Sequence, residues 1–283
     1  MFVYQAMHQR PHPNAPVPMS TYVAPWPVEA PTIIGAISHE NALPITQLEH
    51  FQLHYPQMPP DPATGLAMIE REYVHCGRCH LSTSRQCVVL FRGNPYSPIV
   101  AIGEGPGRTE DMKGKPFVGA SGRLMSELFR EVGIDPDRDL GWINLVGCRP
   151  VDHRFDRDRP PTLAELMACS ERFLSLLRAL RPGLVLLLGD HAASAFFDDV
   201  KGMYPNTWHE VEGVTFGYTR HPAYLLRVIP AAPSYKEYAA AKLFLEDLHG
   251  RMHSGQVRHS PAWSIIPRYL VDPKPAVGGS LGG

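Results

Sequence analysis

Apolar residues in this 283-residue chain follow two periodicities that alternate from about residue 61 to residue 252. Leu66, Ile69 and Tyr73 recur at helical spacing and predict a helix that leads directly into Cys76. Ile99 to Ile102 is a continuous apolar run of strand length, and it breaks into a loop carrying Gly103, Gly105 and Gly107. Leu124, Met125, Leu128, Phe129 and Val132 then mark one face of an amphipathic helix. A strand is predicted over Trp142 to Val146, and a helix over Thr162 to Leu180 with Leu166, Phe173, Leu176 and Leu177 on one face. Gly183 to Leu188 is apolar on both faces, which marks a central strand covered from both sides, and Asp190 reads as the cap of the next helix. Val211 to Tyr218 alternates like a more exposed strand. Tyr235 to Met252 closes the series as an amphipathic helix carrying Tyr238, Leu243, Leu245 and Leu248. Strands alternating with helices in this way predict an α/β fold, a three-layer α/β/α sandwich around a short, mainly parallel central sheet.

Both ends depart from this pattern. Residues 1–60 hold 11 prolines, one arginine and no lysine, a composition that opposes regular structure and predicts a disordered arm. Tyr22 and Trp26 would suit a protein partner's groove, and Pro44 to Leu53 has the pattern of a short helix. Residues 61–252 form the expected globular domain, and 253–283, ending in VGGSLGG, read as a flexible tail.

Composition narrows the function classes only slightly. A formal net charge of −1 provides no global field towards nucleic acid, although a local basic stripe would suffice. Five cysteines are too few for a disulfide scaffold in a chain of this length. No apolar run reaches membrane-spanning length, and the N-terminus lacks a charged start followed by an apolar core. The expectation is a soluble, cytoplasmic monomer with reduced thiols free to bind metal.

Candidate chemistry concentrates in four places. The glycine loop after Ile102 fits neither the dinucleotide fingerprint nor the P-loop spacing. Cys76 and Cys79 in CGRC can reach one metal, but alone they equally suit structural zinc, a redox dithiol or two buried small residues. The redox reading lacks its βαβ context. Cys148, at a strand end, and Cys169, within a helix, are far from that pair in sequence, so a shared site would be closed by the tertiary fold. Spacing leaves zinc and an iron–sulfur cluster equally open, with Cys87 left over as a buried thiol. The loop RPVDHRFDRDRPPT sets Arg149, Arg154, Arg157 and Arg159 among Asp152, Asp156 and Asp158. It reads as a self-paired, solvated segment, or as a contact for the DNA backbone. The last place is Arg220-His221-Pro222, directly after a strand.

Taken together, these segments resemble the family 4 uracil-DNA glycosylases, the iron–sulfur branch of that superfamily. GEGPGRTED followed by GKPFVGASGRLM resembles the first motif, and RHPAYLLR (Arg220 to Arg227) resembles the second. Cys76, Cys79, Cys148 and Cys169 fall where the family keeps its cluster ligands, and the likeness runs roughly from Ala67 to Arg251. The resemblance implies a [4Fe–4S] cluster in place of zinc. It implies a monofunctional enzyme of base excision repair that hydrolyses the N-glycosidic bond of deoxyuridine in DNA after flipping the base. Phe117 would be the stacking aromatic, Asn144 the amide reading the uracil edge, and His221 the donor to uracil O2. Gly105 would lend a backbone N–H, and Glu110 would lie against the pocket near C5. Gly105 stands where the superfamily's best-known branch has its water-positioning Asp, so that role does not carry over, and Glu104 is the acid left to orient water or stabilise the sugar cation. Leu225, flanked by Leu226 and Arg227, stands where the superfamily places its intercalating wedge. Two other readings keep the same fold: a catalytically weak or inactive DNA- or protein-binding module, and a glycosylase for another deaminated or modified base.

Overall fold

The computed structural model describes residues 59–270, except 153, 155, 199, 201–202, 229–234, 262 and 266. Almost the whole proline-rich arm, its expected helix at 44–53 and the glycine-rich terminus lie outside the described residues.

Six strands form one sheet in the order β1-β3-β2-β6-β8-β7. The strands are β1 (Arg92–Gly93), β2 (Ile99–Gly103), β3 (Gly141–Asn144), β6 (Leu184–Leu188), β7 (Thr207–Val211) and β8 (Val214–Thr219). The inner four run parallel, and β1 and β7 pair antiparallel at the two edges. Strand β2 is fully buried, as is β6, and alternate residues serve opposite faces. Val100, Ile102, Val185 and Leu187 join one apolar cluster; Ile99, Ala101, Leu184, Leu186 and Leu188 join the other. The first cluster is completed by helices α1 (Pro62–Tyr73), α4 (Leu163–Leu180) and α5 (Asp190–Ser194). The second is completed by α3 (Ala120–Glu131), α6 (Pro222–Val228) and α7 (Tyr235–His253). This is the expected three-layer sandwich, with a short helix α2 (Arg108–Lys113) leading from the glycine loop towards α3.

Local chemistry sets the helix ends. Asp61 caps α1 by accepting from the Thr64 N–H at 2.8 Å. Thr162 and Glu165 form a reciprocal capping box at the start of α4. Asp190 is not a cap: Gly189 holds the N-cap position with φ +97°, and Asp190 is the first helical residue. The Asp190 carboxylate instead accepts from the Tyr218 hydroxyl at 2.6 Å.

Three further expectations change. The single strand at Val211–Tyr218 is the second arm of a hairpin, β7–β8, that turns at Glu212 and Gly213. Leu243 lies outside the buried stripe of α7, at 65% exposure, because Ala241, Phe244, Leu245 and Leu248 take the core-facing positions. The tail is packed as far as residue 270. Trp263, Ile265, Tyr269 and Leu270 are buried in the first cluster, and Arg268 N–H donates to the Ala195 carbonyl at 2.6 Å. Four large apolar side chains in a short segment release enough surface from water to hold it down. Among the described residues no helix is long and apolar enough to cross a membrane.

Candidate active site and cysteine centre

The carboxyl ends of β2, β3, β6 and β8 share one edge of the sheet, and β2 is flanked by β3 on one side and β6 on the other, the reversal of strand order beside which open α/β sheets bind ligands. Gly103 ends β2 there, and its bare backbone is covered by two other residues. A Cβ at Gly103 would stand 2.4 Å from the Phe117 ring tip and 2.6 Å from Asn144 Oδ1. Ring and amide, 27 residues apart in sequence, therefore meet over a backbone that only glycine can supply there.

Phe117 sits in the left-handed region, φ +55°, a conformation costing a bulky residue about 1–3 kcal/mol. Its surroundings hold it. Arg92 Nη1 donates to the Phe117 carbonyl at 2.6 Å while the same guanidinium pairs with Asp137, and the ring lies 5.0 Å from Trp142. Asn144 is 2% exposed at the end of β3. The ladder continues past it, Leu145 N–H to Gly103 O at 2.9 Å and Val146 N–H to Glu104 O at 3.2 Å.

The three acids of the glycine-loop segment have separate surroundings. Asp111 is buried and accepts from the Gln86 and Cys87 amides at 3.0 and 3.4 Å, so it braces a neighbouring loop. Glu110 accepts from Gly119 N–H at 2.6 Å and so closes the loop that carries Phe117. Glu104 has a buried carboxyl oxygen with no partner among the described residues. Burial raises its pKa above the ordinary carboxylate value, with His191 opposing. Gly105 lies between these acids, against Val146 and Pro150.

His221 follows β8 and packs against Gly189, where a Cβ would stand 2.7 Å from its own Cβ. Its Nδ1 accepts from the Ala223 N–H at 3.1 Å. An accepting Nδ1 requires the neutral ring's proton to sit on Nε2. Burial above all, then the positive charges of Arg227 and His191, lowers the imidazole pKa to about 4, with Asp190 opposing.

Leu225 is corrected. It is 1% exposed and packs in the second cluster with Leu128 and Phe129 of α3. The helix begins at Pro222, and its phase turns Leu225 inward while Leu226 stays half-buried and Arg227 exposed. Leu225→Ala should destabilise the fold by about 2–5 kcal/mol in urea unfolding. Full stability in Leu225→Ala would return the side chain to the surface, where a wedge could act.

The cysteines separate into four and one. Burial chiefly raises the Cys79 pKa, and the nearby Cys169 and Cys76 add to the shift. Cys148 is pushed up to about 11, again mainly by burial, with Arg85 opposing and Cys169 adding. These four thus share one neighbourhood, whereas Cys87 lies beside Gly114 and is half-buried, more open than expected. Donors aim at two of the sulfurs: Arg85 Nη1 at Cys148 (3.7 Å), and Gly147 N–H (3.4 Å) and Arg172 Nε (3.1 Å) at Cys169. Among the described residues, no group of three or more His, Cys, Asp and Glu side chains is placed to hold a metal ion. Two buried polar atoms beside Cys169, Arg172 Nη1 and the Tyr269 hydroxyl, have no partner among the described residues. Neither Arg172 nor Tyr269 stood out in the sequence, since an Arg inside a helix reads as solvated and Tyr269 lay in the expected tail.

The arginine loop after Cys148 folds into a small hairpin, β4 (Val151–Asp152) with β5 (Arg157–Asp158). Its charges pair partly within the loop, Arg149 with Asp156 and Asp158, and partly outside it, Arg159 with the buried Glu165 of α4. Arg108 from the glycine-loop side also reaches Asp156. The hairpin thereby stands beside the glycine-loop segment.

Comparison with known proteins places this arrangement. The profile of the uracil DNA glycosylase superfamily matches residues 91–249. The chain is 36% identical over 168 residues to the type-4 uracil-DNA glycosylase of Thermotoga maritima, covering 57% of this chain and 83% of that protein. It is 37% identical to the type-4 uracil-DNA glycosylase of Archaeoglobus fulgidus, over 46% of this chain and 62% of that protein. The counterpart from Saccharolobus solfataricus is 36% identical, over 47% and 59%.

Proposed function

The chain belongs to the uracil DNA glycosylase superfamily, and we infer that it is a monofunctional uracil-DNA glycosylase of base excision repair. The observation that carries the mechanism is the Ala223 N–H bond to His221 Nδ1, which leaves Nε2–H as a donor at the edge shared by Phe117 and Asn144. The substrate is deoxyuridine in DNA, extruded from the stack at a cost of a few kcal/mol. Phe117 gives the extruded base a face to stack on. The Asn144 amide donates to uracil O4 and accepts from N3–H, a pattern that cytosine cannot match.

As the C1′–N1 bond breaks, its electron pair passes to the uracil ring and negative charge grows on O2. His221 Nε2–H is aimed where that charge develops, so it stabilises the transition state more than the ground state. Water adds to C1′, and the proton it gives up passes through solvent to the uracil anion, which leaves as neutral uracil. The unpartnered Glu104 carboxyl is the group suited to orient that water or to face the sugar cation, and Gly105 N–H supports the base. Glu110 acts beside them by holding the Phe117 loop against the pocket near C5. With Leu225 inside the fold, the half-buried Leu226 and exposed Arg227 are left to meet the gap in the duplex.

Cys76, Cys79, Cys148 and Cys169 would hold a [4Fe–4S] cluster. The fit rests on their donor chemistry: Arg85, Arg172 and Gly147 direct N–H groups at the sulfurs, and two buried polar atoms remain unpartnered beside Cys169. A cluster held there would crosslink the segment after α1, the loop after β3 and α4. In the proline-rich arm, Tyr22 and Trp26 would suit a protein partner's groove.

The purified protein should release uracil from uracil-containing oligonucleotides and leave uracil-free ones intact. Binding of both without glycosidic cleavage would instead support the binding-module reading. The same preparation should be brown and contain iron; colourless protein with stoichiometric zinc would overturn the cluster. Cys148→Ala should reduce soluble yield as well as activity.

A further inference from the structure

Phe117 holds its left-handed backbone between two glycines. Its ring tip lies over Gly103, and its carbonyl lies over Gly122, where a Cβ would stand 2.1 Å from the Phe117 oxygen. Gly122 is inside α3, a position where glycine ordinarily costs helix stability. The carbonyl that this gap admits accepts from Arg92 Nη1 at 2.6 Å. Arg92 stands on the edge strand β1 opposite Trp142, with its side chain 12% exposed and its guanidinium 5.4 Å from the centre of the Trp142 ring. Asp137 takes the rest of the fork, from Nε at 2.7 Å and Nη2 at 3.1 Å, and Nη2 also reaches Ser126 Oγ at 3.4 Å. A planar guanidinium holds two partners in one fixed geometry, which an ammonium cannot do. The turn that carries Asp137 is tied to the same rings: Trp142 Nε1–H donates to the Pro136 carbonyl at 2.6 Å, and Trp142 packs against Phe117. Arg92, Asp137, Trp142 and Phe117 close one circuit around a residue whose backbone would otherwise relax. Room to relax is present. A cavity of about 590 Å³ is lined by Arg92, Lys115, Phe117, Val118, Arg123 and Ser126 among others, and not by Gly103, Asn144 or His221.

We propose that Arg92 is a positioning residue for base stacking: anchored by Asp137, it holds Phe117 in the left-handed conformation that sets the ring over Gly103 beside Asn144. The inference rests on the glycosylase reading for what the ring does; the clamp itself is independent of that reading. Without Arg92, residues 117 and 118 would turn towards an ordinary backbone conformation, with the cavity to accommodate them, and the ring would leave Gly103. An extruded base would still meet Asn144 and His221 but would lose the face it stacks on. Arg92 therefore acts on excision only through Phe117.

The test is a double-mutant cycle on the full chain, with Arg92→Met, Phe117→Gly and the pair, and with Arg92→Lys and Asp137→Asn alongside. Glycine suits a left-handed position, so Phe117→Gly removes the ring without new backbone strain. Single-turnover uracil excision, affinity for uracil-free DNA and urea unfolding are measured on each protein. Backbone hydrogen exchange is read at residues 117–119, with Leu184–Leu188 as the internal reference. Phe117→Gly should excise uracil roughly 5–150-fold more slowly, the scale of one lost base–aromatic stack. Arg92→Met should lose no more than that, and should add no more than about twofold once the ring is gone, the scatter of independent pairs. It should raise exchange at 117–119 while the reference strand and the affinity for DNA hold. Arg92→Lys, with charge but no fork, should fall between. Asp137→Asn should have the smallest effect, since its side chain is 54% exposed. Where Arg92→Met does not fold, Arg92→Lys takes its place in the cycle. Equal losses from the Arg92 substitution with and without the ring would overturn the proposal, as would unchanged exchange at 117–119. A fall in affinity for uracil-free DNA would overturn it too, by making Arg92 a contact to the DNA backbone. A parental protein that excises no uracil would remove the glycosylase reading alone, because exchange in Arg92→Met still decides whether the clamp holds Phe117.

Discussion

His221→Ala is expected to lose about 10²–10³-fold in single-turnover excision of uracil, the scale of removing one donor to a developing oxyanion. In its proposed role the imidazole acts on charge that appears only as the glycosidic bond breaks, so affinity for DNA should change little. The tautomer is already set by Ala223 N–H, which occupies Nδ1. With its pKa depressed to about 4 by burial and by Arg227 and His191, the ring is neutral at physiological pH and still donates from Nε2. The pH–rate profile should therefore lack an inflection from His221 near the ordinary histidine value of about 6.5. The same shift predicts a stability effect. Between about 6.5 and 4 the unfolded chain takes up a proton that the native ring refuses, so stability falls as pH drops through that window and is untouched by this group above it. Undiminished activity in His221→Ala, or an inflection near pH 6.5 that the substitution abolishes, would remove the neutral-donor mechanism.

What the sequence disclosed and what it hid have physical causes. The central strands were legible because Ile99–Ile102 and Gly183–Leu188 are apolar on both faces, which only a doubly covered sheet explains. Their common carboxyl edge followed from the strand–loop–helix order, and it brings Gly103, Asn144 and His221 to one side of the sheet. Helix phase was not legible to better than a residue. Leu225 and Leu226 are adjacent leucines on a seven-residue helix, and only packing against α3 decides which turns inward. Leu243 failed for the same reason on α7, where Phe244 took the core. Arg172 was hidden because its contacts are to main-chain carbonyls and a sulfur, none of which leaves a sequence pattern. Composition around VGGSLGG masked the anchoring of Trp263, Ile265, Tyr269 and Leu270 just before it. The separate fates of Glu104, Glu110 and Asp111 depended on which backbone amides the fold brought within reach.

Asn144→Asp is expected to lower uracil excision by at least about 10²-fold, and more than it lowers stability, because a buried amide, the proposed reader of the uracil edge, changes charge without changing shape. The side chain is nearly inaccessible, its Oδ1 sits over Gly103 beside the Phe117 ring, and its own carbonyl is fixed by Arg172 at 2.7 Å. An isosteric carboxyl therefore has no alternative position to take up. Asparagine offers uracil one donor, for O4, and one acceptor, for N3–H; aspartate offers two acceptors and opposes O4 with a negative charge. Sites built around a hydrogen bond discriminate strongly because the mismatch leaves buried groups unpaired. Cytosine gains one match in the variant, N4–H to carboxylate, and meets a repulsion at N3, so it does not become a good substrate. The uracil-to-cytosine ratio should narrow mainly through loss of uracil. Single-turnover rates on matched oligonucleotides carrying one base or the other measure this directly, with urea unfolding as the control for stability. A variant that keeps the parental uracil rate would place the uracil reader elsewhere at the carboxyl ends of the strands. One that loses uracil only in proportion to its lost stability would reduce Asn144 to a strand-end residue.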